Sequence, residues 1–265
     1  MSDHAGPAFV LGVTPYRETS AILNVLCRAE GRVSLVARGL RGPRSRGASA
    51  AEPFARVRLA YRMKDGAALG TLTDIDVERR CDAVRGHLDR YALAGFWMEA
   101  VGVAAQERAS GIDLFDLTDA FLLALDSPEG AAHPFLAGAF GRLLAVTGFA
   151  PTLDSCIRCE SPGPLPHLDA TAGGALCARC GRAAVAYVPM DTRGAAGVPA
   201  VRLADLWGNE VGHRARRGAG AGTGLAATAF EALFRAHFGV ALRSWPFLVS
   251  NLGIAEARVG PTLTI

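Results

Sequence analysis

The sequence predicts an α+β multidomain protein: a five-stranded β-barrel at the amino end, then an α-helical domain with a four-cysteine knuckle embedded in it. Three observations carry this expectation. Short runs rich in β-branched and apolar residues, separated by turn residues, fill positions 1–80. After Cys81 the apolar residues recur with a helical period instead. Two Cys-x-x-Cys pairs, Cys156 with Cys159 and Cys177 with Cys180, interrupt the helical part. A chain of 265 residues, 50% of them hydrophobic, has enough apolar side chain for one or two domains with buried cores.

Strands are expected over 9–13, 21–28, 32–38, 54–61 and 69–77. Their separators are Thr14-Pro15, Glu30-Gly31, Lys64-Asp65-Gly66 and an arginine- and glycine-bearing loop over 39–47. Five short strands with one open face and projecting loops fit an OB-fold, which binds oligonucleotides. A barrel of SH3-like topology fits the same strand pattern. Phe9 and Phe54 lie in apolar runs and are expected in the core, whereas Tyr16, beside Arg17 on a turn, is the ring expected at the surface.

Helices are expected over 87–107, 114–125, 134–146 and 225–238, with a short last element opening at Ser244-Trp245-Pro246. The helices before and after the knuckle are expected to pack together. The glycine run from Gly218 to Gly224 fits no nucleotide-binding motif, follows no strand and reads as a flexible linker. The expected division is a barrel over 1–80, a helical domain over 81–150 and 186–265, and the knuckle over 151–185.

The chemistry of the knuckle follows from its donors. Cys156, Cys159, Cys177 and Cys180 offer four soft thiolates, each pair on a tight turn, and such a set favours one tetrahedral Zn²⁺ over hard cations. Four protein ligands leave no open position for water or substrate, so the ion is expected to hold structure. Four plain thiols or two disulfides are the alternatives, less usual for this spacing. His167 lies between the pairs but is not needed as a ligand. Cys27 and Cys81 sit in apolar or strand contexts and are expected to be buried.

Net charge is only +3, but its distribution is uneven. Arg28, Arg32, Arg38, Arg41, Arg44, Arg46, Arg56, Arg58, Arg62 and Lys64 face only Glu30 and Glu52 within that stretch. Alternation along a strand allows Arg56, Arg58 and Arg62 to share one solvated face, and Arg41, Arg44 and Arg46 ride on the glycine-bearing loop. A solvated charged face is one reading; on an OB-like barrel, phosphate binding is the better one. The candidate nucleic-acid contacts are Arg32, Arg38, Arg41, Arg44, Arg46, Arg56, Arg58 and Tyr16. Asp74, Asp76 and Glu78 alternate on a strand and read as solvated edge charges rather than a magnesium site. The longest apolar helical stretch is interrupted by Glu99, and the chain reads as soluble and cytoplasmic.

Two ordered sets of residues resemble the bacterial recombination-mediator family RecO. The first is Tyr16-Arg17-Glu18-Thr19-Ser20, then Gly31 to Gly39, then Arg44-Ser45-Arg46 and Pro53-Phe54. The second is Gly148-Phe149-Ala150-Pro151, Leu153-Asp154-Ser155-Cys156 and Gly173-Gly174-Ala175-Leu176-Cys177. The resemblance implies an OB-fold, a helical domain and a zinc knuckle. It also implies a non-enzymatic DNA repair and recombination mediator, nucleoid-associated, that binds single- and double-stranded DNA and anneals complementary strands. Its implied partners are RecR, RecA and the C-terminal tail of single-strand-binding protein (SSB). Cys27 and Arg38 stand where relatives often carry threonine or lysine, and Glu52 enters a lead that is usually more apolar. A zinc-stabilised scaffold that captures peptide tails, with Arg142, Arg235 and Arg243 as cationic edges, is the competing reading.

Overall fold

The computed structural model describes residues 2–42, 47, 52–106, 111–182, 188–189, 207 and 219–254. The first five elements are strands: β1 (Ser2–Tyr16), β2 (Ser20–Cys27), β3 (Gly31–Ala37), β4 (Arg56–Met63) and β5 (Gly70–Arg79). They close into a barrel in the order β1-β2-β3-β5-β4, with β1 hydrogen-bonded to β4 as well as to β2. One parallel contact, Leu35 opposite Gly70 and Val36 opposite Thr71, joins β3 to β5. That crossover settles the choice left open by the strand pattern in favour of the OB-like five-stranded arrangement.

β1 is longer than expected because it serves two neighbours. Residues 2–9 pair with β4 and residues 8–16 with β2. Pro7 is tolerated inside it, and its carbonyl accepts from the Arg28 amide at 3.2 Å. The expected turn at Thr14-Pro15 is therefore strand; the chain reverses at 17–19 instead. Phe54, expected to open the fourth strand, lies before β4 instead, in a left-handed turn with φ 66°, and its ring is buried. Alternation then fills the barrel with Leu23, Val25, Val33, Leu35, Val57, Leu59 and Ile75.

Contact density divides the chain into two compact units, Met1–Gly86 with Trp97–Asp126, and His87–Phe96 with Ser127–Ile265. In the first, α1 (Asp82–Gly86) and α3 (Ile112–Asp126) accompany the barrel. Phe9 points out of the barrel core onto Phe115 of α3, ring centroids 4.9 Å apart. Acidic residues of the same helix receive barrel arginines: Asp116 takes both nitrogens of Arg28 at 2.8 Å, and Asp119 takes Arg56 at 2.9 Å and Arg79 at 2.7 Å. The long helix α2 (Leu88–Ala104) contributes Trp97, which stacks on Phe121 at 4.0 Å.

In the second unit, α4 (Pro134–Val146) packs against α6 (Ala219–Phe238), as expected for the helices flanking the knuckle. Phe140 and Phe230 meet at 5.2 Å, and Phe96 lies edge-on to Phe230 at 5.8 Å. The described part of the expected glycine linker is the first turn and more of α6. The correction has a packing cause. Gly222 and Thr223 are buried, and the Thr223 hydroxyl donates to the Ala131 carbonyl at 3.3 Å. Glycine in a helix costs about 1 kcal/mol against alanine, so burial of this stretch rather than intrinsic propensity holds it helical. The chain ends its described part with α7 (Trp245–Leu252).

Candidate nucleic-acid interface and metal centre

The cationic residues of the barrel fall into two groups. Arg56, Arg58 and Arg62 all point outward from β4, since Val57, Leu59 and Tyr61 occupy the inner positions. They share one face, but each is matched by an acid. Arg56 lies between Glu78 and Asp119, both at 2.9 Å, and over the Phe115 ring. Arg58 reaches Glu78 at 2.7 Å, and Arg62 reaches Asp3 at 3.0 Å. Arg32 turns toward the end of α2 and donates to the Gly102 carbonyl at 3.1 Å. Asp74 and Asp76 are exposed on β5, and Glu78 serves these arginines. Glu52, the acid in the lead to Pro53-Phe54, is taken up by Arg80 and Arg85.

A second group gathers at the end of the barrel where β1 turns into β2. Tyr16 closes β1 and is 37% exposed. Arg38 follows Ala37, whose strand partner is Ala21 at the start of β2. The Arg41 amide donates to the Thr19 carbonyl at 2.9 Å, which ties the following loop to the β1–β2 turn. Gly39, with φ 70°, permits the reversal between them. Arg38 and Arg41 are exposed, and among the described residues neither has an ion pair. Arg44 and Arg46 lie outside the described residues. Arg17 is not among the contacts expected from the sequence, although its place next to Tyr16 on the turn was legible there; its guanidinium lies 5.2 Å from the Tyr16 ring centroid.

The four knuckle cysteines converge in the second unit. Their sulfurs all lie within 4.8 Å of one another, and Cys159 and Cys177 are 3.8 Å apart. The distance is far too long for a disulfide bond of about 2.05 Å. A tetrahedron with metal–sulfur bonds of about 2.3 Å has edges of roughly 3.8 Å, so the donors present fit a single thiophilic ion. Local backbone bonds place them. The Ile157 amide donates to the Ala175 carbonyl at 3.0 Å, joining the first pair to β7 (Gly174–Leu176), which lies beside β6 (His167–Asp169). Cys177 caps the one-turn helix α5 (Ala178–Gly181), its sulfur accepting from the Cys180 amide at 3.5 Å.

Those backbone donors also prepare thiolates. N–H groups aimed at sulfur, first that of Cys177, bring Cys156 down to about 6, and the Cys180 amide lowers Cys177. Hydrogen bonds with neighbouring sulfurs, Cys159 first, hold the last proton on Cys180 and push it up. A cation among the four relieves that competition. Cys27 and Cys81 behave oppositely: both are buried, and desolvation pushes Cys27 up to about 12 and raises Cys81. His167 lies outside the sulfur cluster and packs against Gly181.

The same unit contains a cavity of about 750 Å³, lined among the described residues by Gly141, Arg142, Pro151, Leu153, Asp154 and Trp207. The Trp207 indole donates to the Ala137 carbonyl at 2.8 Å. Gly141 makes room for its ring, because a Cβ there would lie 2.7 Å from it. No described helix is long and apolar enough to cross a membrane.

Residues 1–80 match the family model for the N-terminal part of recombination protein O, and residues 85–210 match the model for its C-terminal part. The chain is 37% identical over 174 residues to the DNA repair protein RecO of Anaeromyxobacter dehalogenans (strain 2CP-C), covering 64% of this chain and 68% of the relative. It is 34% identical over 243 residues to the DNA repair protein RecO of Frankia casuarinae, covering 90% of this chain and 95% of that one. With the DNA repair protein RecO of Myxococcus xanthus (strain DK1622) the identity is 31% over 182 residues, or 68% and 74% of the two chains.

Proposed function

The chain belongs to the RecO family of DNA repair proteins, and from that premise we propose that it is a cytoplasmic, nucleoid-associated recombination mediator without an active site. It binds single- and double-stranded DNA, anneals complementary strands, and with RecR helps RecA load onto single strands coated by SSB. The observation that carries the DNA-binding part is the pairing pattern of the barrel arginines. Arg56 and Arg58 spend their charge on Glu78 and Asp119, whereas Arg38 and Arg41 stand exposed beside Tyr16 with no acid opposite among the described residues. A guanidinium without an internal partner is the one that gains most from a phosphate. Arg44 and Arg46, on the loop that Arg41 begins, extend the same group in sequence.

Annealing on such a surface needs no catalytic side chain. Neutralised phosphates let two polyanions approach, and pairing then proceeds from the stacking of the bases themselves. The thiolate centre holds one structural Zn²⁺ through Cys156, Cys159, Cys177 and Cys180. The ion's charge compensates four sulfurs and fixes the two turns on which they lie.

Salt dependence tests the assignment. Each single-strand phosphate contact contributes about 0.7 to the slope of log K against log salt, so Arg38→Ala with Arg41→Ala lowers the slope by about 1.4. Arg58→Ala, already matched by Glu78, changes it by less than about half a contact. An unchanged slope in the double variant removes the hairpin end from the interface. A second role on the same protein, capture of the acidic C-terminal tail of SSB, rests on the cavity that Arg142 lines together with Pro151, Leu153 and Trp207, with Asp154 as the one acid opposed to it among the described lining residues. Arg235, by contrast, has Glu231 at 3.7 Å.

A further inference from the structure

Arg17 occupies the left-handed region, φ 55°, at the first position of the turn that joins β1 to β2. Glycine or asparagine usually fills such a position, because a Cβ is crowded there. The arginine at this strained position lays its guanidinium over one face of Tyr16, 5.2 Å from the ring centroid. The tyrosine remains 37% exposed. Glu18 balances the charge of Arg17 within the same turn, so the tip adds little net attraction for phosphate. What it adds is an aromatic surface held in place. The unmatched charge lies just behind it, since Arg41 is tied to Thr19 and Arg38 lies next to the strand pair that continues the hairpin.

Resting on the DNA-binding reading above, we propose that Arg17 and Tyr16 form a single stacking unit that makes this end of the barrel selective for unpaired nucleobases. Arg17 braces one face of the ring, and an unpaired base stacks on the other. Bases within a duplex already have both faces covered and reach the hairpin end only through their phosphates. The unit therefore adds to the affinity of single strands alone, while Arg38 and Arg41 attract either form. Unpaired bases of a strand destined for annealing are thereby held next to the charges that admit its complement.

Three labelled probes distinguish stacking from charge: an oligothymidylate, an abasic strand with the same number of phosphates, and a blunt duplex. Anisotropy titrations of the full-length protein give their affinities. Tyr16→Ala weakens the oligothymidylate by about tenfold and the abasic strand and duplex by less than about twofold. Arg17→Ala follows the same ordering with a smaller loss, Tyr16→Trp restores oligothymidylate binding, and Arg38→Ala weakens all three alike. Equal losses on the three probes for Tyr16→Ala, or no loss on any while the wild type binds them, overturns the stacking unit and leaves the phosphate interface standing. A wild-type protein that binds none of the probes overturns the interface itself, and the stacking unit with it.

Discussion

Arg56 and Arg58 lie two residues apart on the same outward face of β4, and in sequence nothing separates them. The fold does. Arg56 is 29% exposed and held by Glu78, by Asp119 and by the face of Phe115, so its loss takes one of two arginine partners from each of two half-buried carboxylates. Arg58 is 67% exposed and has Glu78 alone. Removing one partner of a buried charge network costs several times what an exposed pair is worth. Arg56→Ala is expected to destabilise the protein by roughly 1–3 kcal/mol in urea titrations, and Arg58→Ala by less than about 1 kcal/mol. Equal, small losses would show that Arg56 is free for another partner after all. Periodicity can assign a residue to a face, but its electrostatic fate depends on which acids the fold brings opposite. Asp119 lies 63 positions away in the chain, and only the docking of α3 on the barrel reveals it.

At the scale of elements, the strands and helices were legible where a single neighbour fixes the pattern. β2, β3 and β4 alternate inside a closed barrel, and α3 and α4 bury one stripe each, so their periods survive in the sequence. β1 was read short because half of it pairs with β4 while exposing polar and imino residues, and the start of α6, up to Gly224, was read as linker because it is built of small residues with no apolar stripe, whereas the helix from Leu225 onward was legible. The four-cysteine site was the most legible feature of all, because ligand spacing is local. The hairpin end was legible only as a list of charges. α6 also contains a group whose cost can be measured. Glu231 is buried at 6% exposure, and desolvation raises its carboxyl above its ordinary value of 4.5, outweighing Arg235 at 3.7 Å. An acid raised in the folded state ionises first in the unfolded chain, so its penalty is absent below about pH 4.5, builds as pH rises through that value and levels off once the folded carboxyl has ionised. Glu231→Gln is therefore expected to raise Tm near neutral pH, by a few degrees, and to lose that advantage as pH falls toward 4.5. A gain that is independent of pH would point to packing instead.

For the whole molecule, six cysteines report on both compact units with one reagent. Cys27 and Cys81 belong to the first unit and the knuckle cysteines to the second. Burial keeps the first two protonated and out of reach, Cys27 with its thiol pushed up to about 12. The knuckle sulfurs face the opposite situation. Backbone donors draw Cys156 down to about 6 and lower Cys177, and three of the four cysteines are only partly buried, so once the ion leaves and the knuckle opens all four are within reach of a thiol reagent at neutral pH. A bound Zn²⁺ engages all four lone pairs and suppresses attack. Titration with a chromogenic disulfide at pH 7 should then find almost no fast thiols in the metal-replete protein, four after chelation and six after unfolding. A zinc-responsive dye should register one ion released per four thiols exposed. The numbers separate the rivals cleanly. Two disulfides would leave only Cys27 and Cys81 to react on unfolding, and an unoccupied thiol cluster would give four fast thiols before any chelator is added. Because a structural zinc contributes on the order of 10 kcal/mol to the peptide that holds it, the chelated protein should also lose ordered knuckle structure while Cys27 and Cys81 remain silent. Early reaction of those two on chelation would mean that loss of metal unfolds the barrel as well.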